Sequence, residues 1–99
     1  MSAPERDRRE PEVGVLVRKL RFRCRALGIR ELAVIMSGFF DAEGESMAVT
    51  ELRVLARLLD TYADPDLMDF LLGTKAWPGW AATVSARIES HVRGRRPGS

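Results

Sequence analysis

Five cations, Arg18, Lys19, Arg21, Arg23 and Arg25, fall within eight residues, and Gly28, Arg30 and Glu31 follow in the stretch FRCRALGIREL, residues 22–32. Cationic groups at this density can grip phosphates, or the carboxylates of a partner protein. Phe22 stands among them on the side of a helix turned away from the apolar positions. An aromatic ring there belongs either to a helix packed on two sides or to a recognition surface. Bond-making chemistry has less to work with. Cys24 is the one cysteine and falls at an apolar helical position, where a thiol reads as a small core residue. With His91, the one histidine, far away in sequence, no local metal-ligand spacing exists. His91 lies near a helix end and reads as solvated or dipole-stabilised rather than as a base. Glu43, Glu45, Asp60 and Asp69 read as surface or capping carboxylates. The patterns GxGxxG, GxxxxGK[ST] and GxSxG are absent. No catalytic residue and no metal site are expected, and the chain is not expected to be an enzyme.

Charge is unevenly spread along the 99 residues. Residues 1–30 hold 9 basic and 4 acidic side chains, residues 31–75 hold 3 and 9, and residues 76–99 hold 4 and 1. A basic start and finish around an acidic middle fits a polarised surface that orients a partner, or a fold whose segments attract one another. The acidic middle argues against nucleic-acid binding, for which Arg18, Lys19, Arg21, Arg23 and Arg25 would otherwise qualify, and Arg18, Arg21 and Arg25 lie opposite the apolar stripe as a plain solvated face would place them. No apolar run approaches the roughly 20 residues needed to span a bilayer, and the opening MSAPERDRREPE lacks the apolar centre of a signal peptide. A soluble, cytoplasmic, monomeric protein without membrane insertion is expected.

The elements that must position these residues are helical throughout. A hydrophobic fraction of 45% supports one small core. Val13, Leu16, Val17, Leu20, Cys24 and Leu27 mark a first helix, and Ile29, Leu32, Ile35, Met36, Phe39 and Phe40 a second, closed by DAEGES. Met47, Leu52, Leu55, Leu58, Leu59 and Tyr62 place a third over residues 48–62, with Ser46 or Thr50 as its cap. A fourth runs from Asp64, read as an N-cap, through Pro65 and Asp66 to Gly73 at its end. KAWPGW reads as an aromatic turn, and Trp80, Val84, Ile88 and His91 as a fifth helix. The fold class is all-α, a compact bundle of about five short helices. Residues 13–92 form the single domain, flanked by disordered tails at 1–12 and 93–99.

The interruption at Gly28 permits a left-handed or closely approached backbone where the first helix ends, so that two helices meet at a sharp angle. Glu31 then falls in the first turn of the second helix, where its charge suits the dipole and its carboxylate can accept from free N–H groups.

In order and spacing, RKLRFRCRALGIREL, the apolar helix ending FF, TEL, ADPDLMDFLLG and the last amphipathic helix resemble the FAD assembly factors of succinate dehydrogenase, the SdhE family, over residues 18–92. That family's hallmark is Arg-Gly-x-x-Glu. Gly28 and Glu31 match it, whereas Leu27 stands where arginine is expected, with Arg25 and Arg30 close by but not at that position. Ala33, after Leu32, stands where an acidic residue often follows.

The resemblance implies a helical chaperone that binds the flavoprotein subunit of succinate dehydrogenase, or of fumarate reductase, and promotes covalent FAD attachment to a histidine of that subunit. It implies that FAD belongs to the client and that the factor carries no cofactor of its own. The partner-binding residues that follow are Gly28 and Glu31, with Arg25, Arg30, Phe22 and Leu27 around them. Two other classes remain open on the residues alone: a helical protein-binding module with another client, such as a toxin-neutralising protein, and a nucleic-acid binder.

Overall fold

The structure, a computed structural model, describes residues 11–95, and they form α1 (Pro11–Arg25), α2 (Arg30–Glu43), α3 (Val49–Thr61), α4 (Asp64–Leu72) and α5 (Ala82–Arg95). Short 3-10 turns at Gly44–Ser46 and Gly79–Ala81 precede α3 and α5, and no strand occurs among the described residues. The expected all-α bundle of five helices is what the chain adopts. Residues 1–10 and 96–99, the bulk of the two expected tails, lie outside the described residues. Where those expected tails overlap the described chain, at 11–12 and 93–95, the backbone is helical.

Each helix buries the stripe its spacing marks. From α1 come Leu20 and Cys24; from α2, Leu32, Met36, Phe39 and Phe40; from α3, Leu52, Leu55, Leu58 and Leu59. Leu67 and Phe70 of α4 and Val84 and Ile88 of α5 complete the core. The central element is α2, which packs against α1, α4 and α5, while α3 packs against α1 and α5. Close approach has a cost in side-chain size at Gly44. This residue is buried, and a Cβ there would meet the Phe40 ring at 3.0 Å, so only glycine lets the turn fold back over that ring.

Helix ends depart from expectation at two places. Neither Ser46 nor Thr50 caps α3: the cap position is Ala48, whose N–H donates to Glu51 Oε1 at 2.9 Å, while the Ser46 hydroxyl donates to the Glu43 carbonyl. Glu51 therefore performs only the reciprocal half of a capping box. Nor does Asp64 cap α4, because it is already the first helical residue and Ala63 holds the cap position. Pro65 stands second in α4 rather than first, still in the opening turn where its missing N–H costs nothing, and Gly73 closes α4 as expected with a left-handed φ of +83°.

The KAWPGW turn packs its rings inward. Trp77 lies 5.0 Å from Phe70 and donates through Nε1 to Glu89 at 2.8 Å; Trp80 stacks beside Tyr62 and under the Arg57 guanidinium at 4.0 Å. Leu55 has no exposed surface, so Leu55→Ala should lower unfolding free energy by about 2–5 kcal/mol in chemical denaturation. Val15→Ala, at an exposed position, should fall within about 0.5 kcal/mol of the parent.

Candidate functional site

The chain leaves α1 through Ala26, whose N–H bonds to the carbonyls of Phe22 at 3.0 Å and Arg23 at 3.2 Å, and re-enters helix at Arg30. Between them lies the segment 26–29, which carries Leu27 and Gly28. Gly28 is exposed and its φ is not positive, since Gly73 holds the only positive-φ backbone among the described residues. Of the two roles expected for Gly28, close approach is therefore the one realised. Its N–H donates to the Asp64 carboxylate at the start of α4, and a Cβ added at Gly28 would lie 3.1 Å from Asp64 Oδ2.

Asp64 is thus a residue of the joint that sequence reasoning placed elsewhere. A carboxylate next to a proline at a helix start reads as a local cap. What redirects it is a backbone donor 36 residues away in sequence, which no local pattern announces.

Glu31 occupies the first turn of α2, as expected, but the cap position before it, Ile29, receives no side-chain hydrogen bond. Glu31 and Arg30 are both exposed and form no ion pair or hydrogen bond among the described residues. Their charged ends are therefore directed to solvent. Leu27 is half-buried and packed against the core, so it contributes to the bundle rather than to an apolar surface. Phe22 is 71% exposed, the most exposed large apolar side chain of the described residues. It is not part of a helix packed on two sides.

Arg25 does not turn toward Glu31. Its guanidinium lies 3.8 Å from Asp41 of α2, which Arg21 also approaches at 3.5 Å while lying over the Phe40 ring. Arg23 pairs with Asp60 of α3 at 2.6 Å. These pairs are well exposed and contribute at most about 1 kcal/mol each. Of the six expected site residues, then, Arg30 and Glu31 present free charge, Phe22 presents a free ring, Gly28 presents exposed backbone, Arg25 is partly engaged and Leu27 is turned inward.

The residues set aside as non-catalytic have settled surroundings. Burial pushes the Cys24 thiol up from 9.0 to about 12, against the opposing pull of Arg23, so it stays protonated and a poor nucleophile at neutral pH. Contrary to expectation, His91 is not solvated: it is half-buried, edge-on to Phe39, with Nε2 buried and unpartnered beside the Gly38 backbone. It lines an open groove with Glu43, Arg87, Ser90 and Gly94. The one fixed cation of that groove is already spent, because Arg87 donates to Glu43 at 2.6 Å, Ser46 at 2.7 Å and Glu51 at 3.1 Å. Among the described residues no group of three or more His, Cys, Asp or Glu could hold a metal ion.

An exposed, chemically mild joint with free charges and a free ring suits contact with a protein surface rather than bond-making. Comparison with known proteins agrees in kind. Residues 18–92 match the family model described as flavinator of succinate dehydrogenase. The chain is also similar to the FAD assembly factor SdhE of Acetobacter pasteurianus, with 33% identity over 82 residues, which is 82% of this chain and 74% of that protein. No solved structure matches it.

Two outcomes follow from this geometry. Asp64→Ala should lower stability by about 0.5–1.5 kcal/mol, because the amide it leaves is exposed and water replaces the carboxylate, and Gly28→Ala by less, because the Asp64 carboxylate need yield only slightly to the new Cβ. Combined, they should cost less than their sum, because the alanine at 64 vacates the space into which the new Cβ points. Chemical denaturation of the four proteins measures this. The raised Cys24 pKa has a definite sign as well. Folded and unfolded chains both keep the thiol protonated below about 9, and above it only the unfolded chain ionises, so the thiol's contribution to stability should decline as pH rises from 9.0 toward 12. The Cys24→Ala variant should lack that part of the alkaline decline in thermal unfolding.

Proposed function

The chain belongs to the flavinators of succinate dehydrogenase, the family of FAD assembly factors, and from that premise we propose that it docks on the flavoprotein subunit of succinate dehydrogenase through the α1–α2 joint and promotes covalent attachment of FAD there. The observation that carries this reading is the correspondence of the family match over residues 18–92 with an exposed joint in which Glu31 and Arg30 have no partner within the described chain. A charged pair left open beside bare glycine backbone is suited to a reversible, partly polar interface. A factor that must leave its client after assembly needs such an interface.

In mechanism the chain contributes binding, not bond-making. FAD and the histidine it joins belong to the client. Glu31 offers a carboxylate acceptor to donors on the client surface, Arg30 a bidentate donor beside it, and Gly28 an approach free of side chain. Docking at the joint stabilises a client conformation in which flavin and histidine stand in reach of each other, and shifts the client population toward it by the difference in affinity between the two conformations.

The same reading covers the remaining attributes. The factor works as a cytoplasmic monomer, carries no cofactor and catalyses no step itself, and its clients extend to the flavoprotein of fumarate reductase. No helix among the described residues is long and apolar enough to cross a membrane.

Leu27 bears on affinity. Where the family pattern places an arginine, this chain spends the position on packing against its core, so client recognition rests more heavily on Arg30 and Glu31. The test is in-gel flavin fluorescence of the flavoprotein subunit in cells that lack the chain and are complemented with variants. Wild type should restore labelling, Glu31→Ala should lower it at least several-fold while retaining a native circular dichroism spectrum, and Leu27→Arg should preserve or raise it. Labelling indifferent to the presence of the chain would sink the assignment.

A further inference from the structure

The outer face of α1 carries a second pattern, which shares only Phe22 with the joint. Val15, Arg18, Lys19, Phe22 and Ala26 are all exposed. At 100° per residue they fall within one sector of the helix, opposite the stripe of Val13, Leu16, Leu20 and Cys24. Val15 is 45% and Phe22 71% exposed. Spaced seven residues apart, they form an apolar seam lengthened by Ala26.

The cations beside that seam are distributed unequally. Arg21, Arg23 and Arg25 reach sideways to Asp41 and Asp60, whereas Arg18 and Lys19 pair with no acidic group among the described residues. One helix thus buries one apolar stripe in its own core and offers a shorter one, flanked by unneutralised charge, to the outside. Solvation alone accounts for the cations but not for a phenyl ring placed between them.

We propose that α1 is itself a recognition helix, laid into an apolar groove with an acidic rim on the client flavoprotein, with Phe22 as the anchor and Arg18 and Lys19 facing the acidic rim. This helix-in-groove contact is separate from the joint, and it rests on the client assignment above. Charge complementarity favours this occupant: a second copy laid antiparallel with Val15 against Phe22 would set Arg18 against Lys19, while Glu12, the acidic residue at the edge of that face, would fall opposite Arg25 and leave them unrelieved. The ring supplies affinity by desolvation, and the cations supply orientation and rate of encounter. Two contacts on adjacent elements, the joint and the strip, fix the angle at which the factor sits as well as its place.

The experiment measures binding of the full chain to the purified flavoprotein subunit by biolayer interferometry at low and moderate salt. Phe22→Ala should weaken binding about tenfold, and the double charge reversal Arg18→Glu, Lys19→Glu should weaken it at low salt and flatten its salt dependence. Both variants alter exposed side chains and should melt within a few degrees of wild type. Glu31→Ala serves as the control for the joint. If Glu31→Ala weakens binding while both strip variants bind as wild type, the strip proposal is overturned and the client assignment stands. If wild type does not bind the flavoprotein at all, both fall. Concentration-dependent self-association of the free chain that Phe22→Ala abolishes, or affinity for duplex DNA or anionic vesicles that exceeds affinity for the flavoprotein, would assign the strip another occupant and overturn the proposal.

Discussion

A backbone amide at a sharp turn between two helices has lost its helical acceptor and must find another. In this chain the amide of Gly28 finds the carboxylate of Asp64, and much of the architecture follows from that choice. The bond ties the α1–α2 connection to the start of α4, so three elements share one point. A Cβ at position 28 would lie 3.1 Å from the accepting oxygen, so glycine eases the approach. Asp64, the first residue of α4, spends its carboxylate on the joint, and the cap position before it falls to Ala63, which has no side-chain acceptor. The glycine of the joint therefore serves the fold whether or not a partner is present. Glu31 and Arg30, by contrast, have no task within the described chain. The residue that holds the joint together and the residues left open to a partner are thus adjacent but distinct.

The uneven charge along the sequence has a largely internal explanation. Asp41 lies between Arg21 and Arg25, Asp60 takes Arg23, and Glu43 and Glu51 enclose Arg87 of the last helix. Part of the acidic middle is thus counter-charge to the basic flanks, folded against them. Asp41 serves Arg21 and Arg25 together, so the positive character left on α1 is that of Arg18, Lys19 and one of this pair, while at the joint Arg30 stands beside Glu31. The polarity that bears on partners is smaller and more local than the segment totals suggest.

Helical periodicity made the five elements legible, because each stripe of leucine, phenylalanine and methionine has one core to face. Gly73 and Pro65 are readable for the same reason: their covalent geometry dictates their use. Asp64 was misread because local chemistry gave it a sufficient task, and only tertiary packing brings a stronger donor. The cap of α3 was misplaced for a related reason: Ser46 is drawn to the Glu43 carbonyl and to Arg87 across 41 residues of sequence. His91 was read as solvated or dipole-stabilised from its place near a helix end, yet α5 runs on to Arg95 and sets that ring edge-on to Phe39. The residues named for the candidate site lie on one stretch around the α1–α2 joint, but their side chains diverge. Neither Arg25 turning to Asp41 nor Leu27 turning to the core could be read from their neighbours in sequence.

The position of α5 has a consequence for how the bundle opens. This helix packs on α2 and α3 and supplies Arg87, the residue that gathers the turn before α3 and the start of α3 itself. Its partners are helices distant in sequence, so nothing local holds it to them. Peeling α5 away uncovers Phe39 of α2 and frees the carboxylates of Glu43 and Glu51 together. The opening of one helix is therefore an opening of the centre, and α5 acts as the clasp of the bundle rather than as its outer layer.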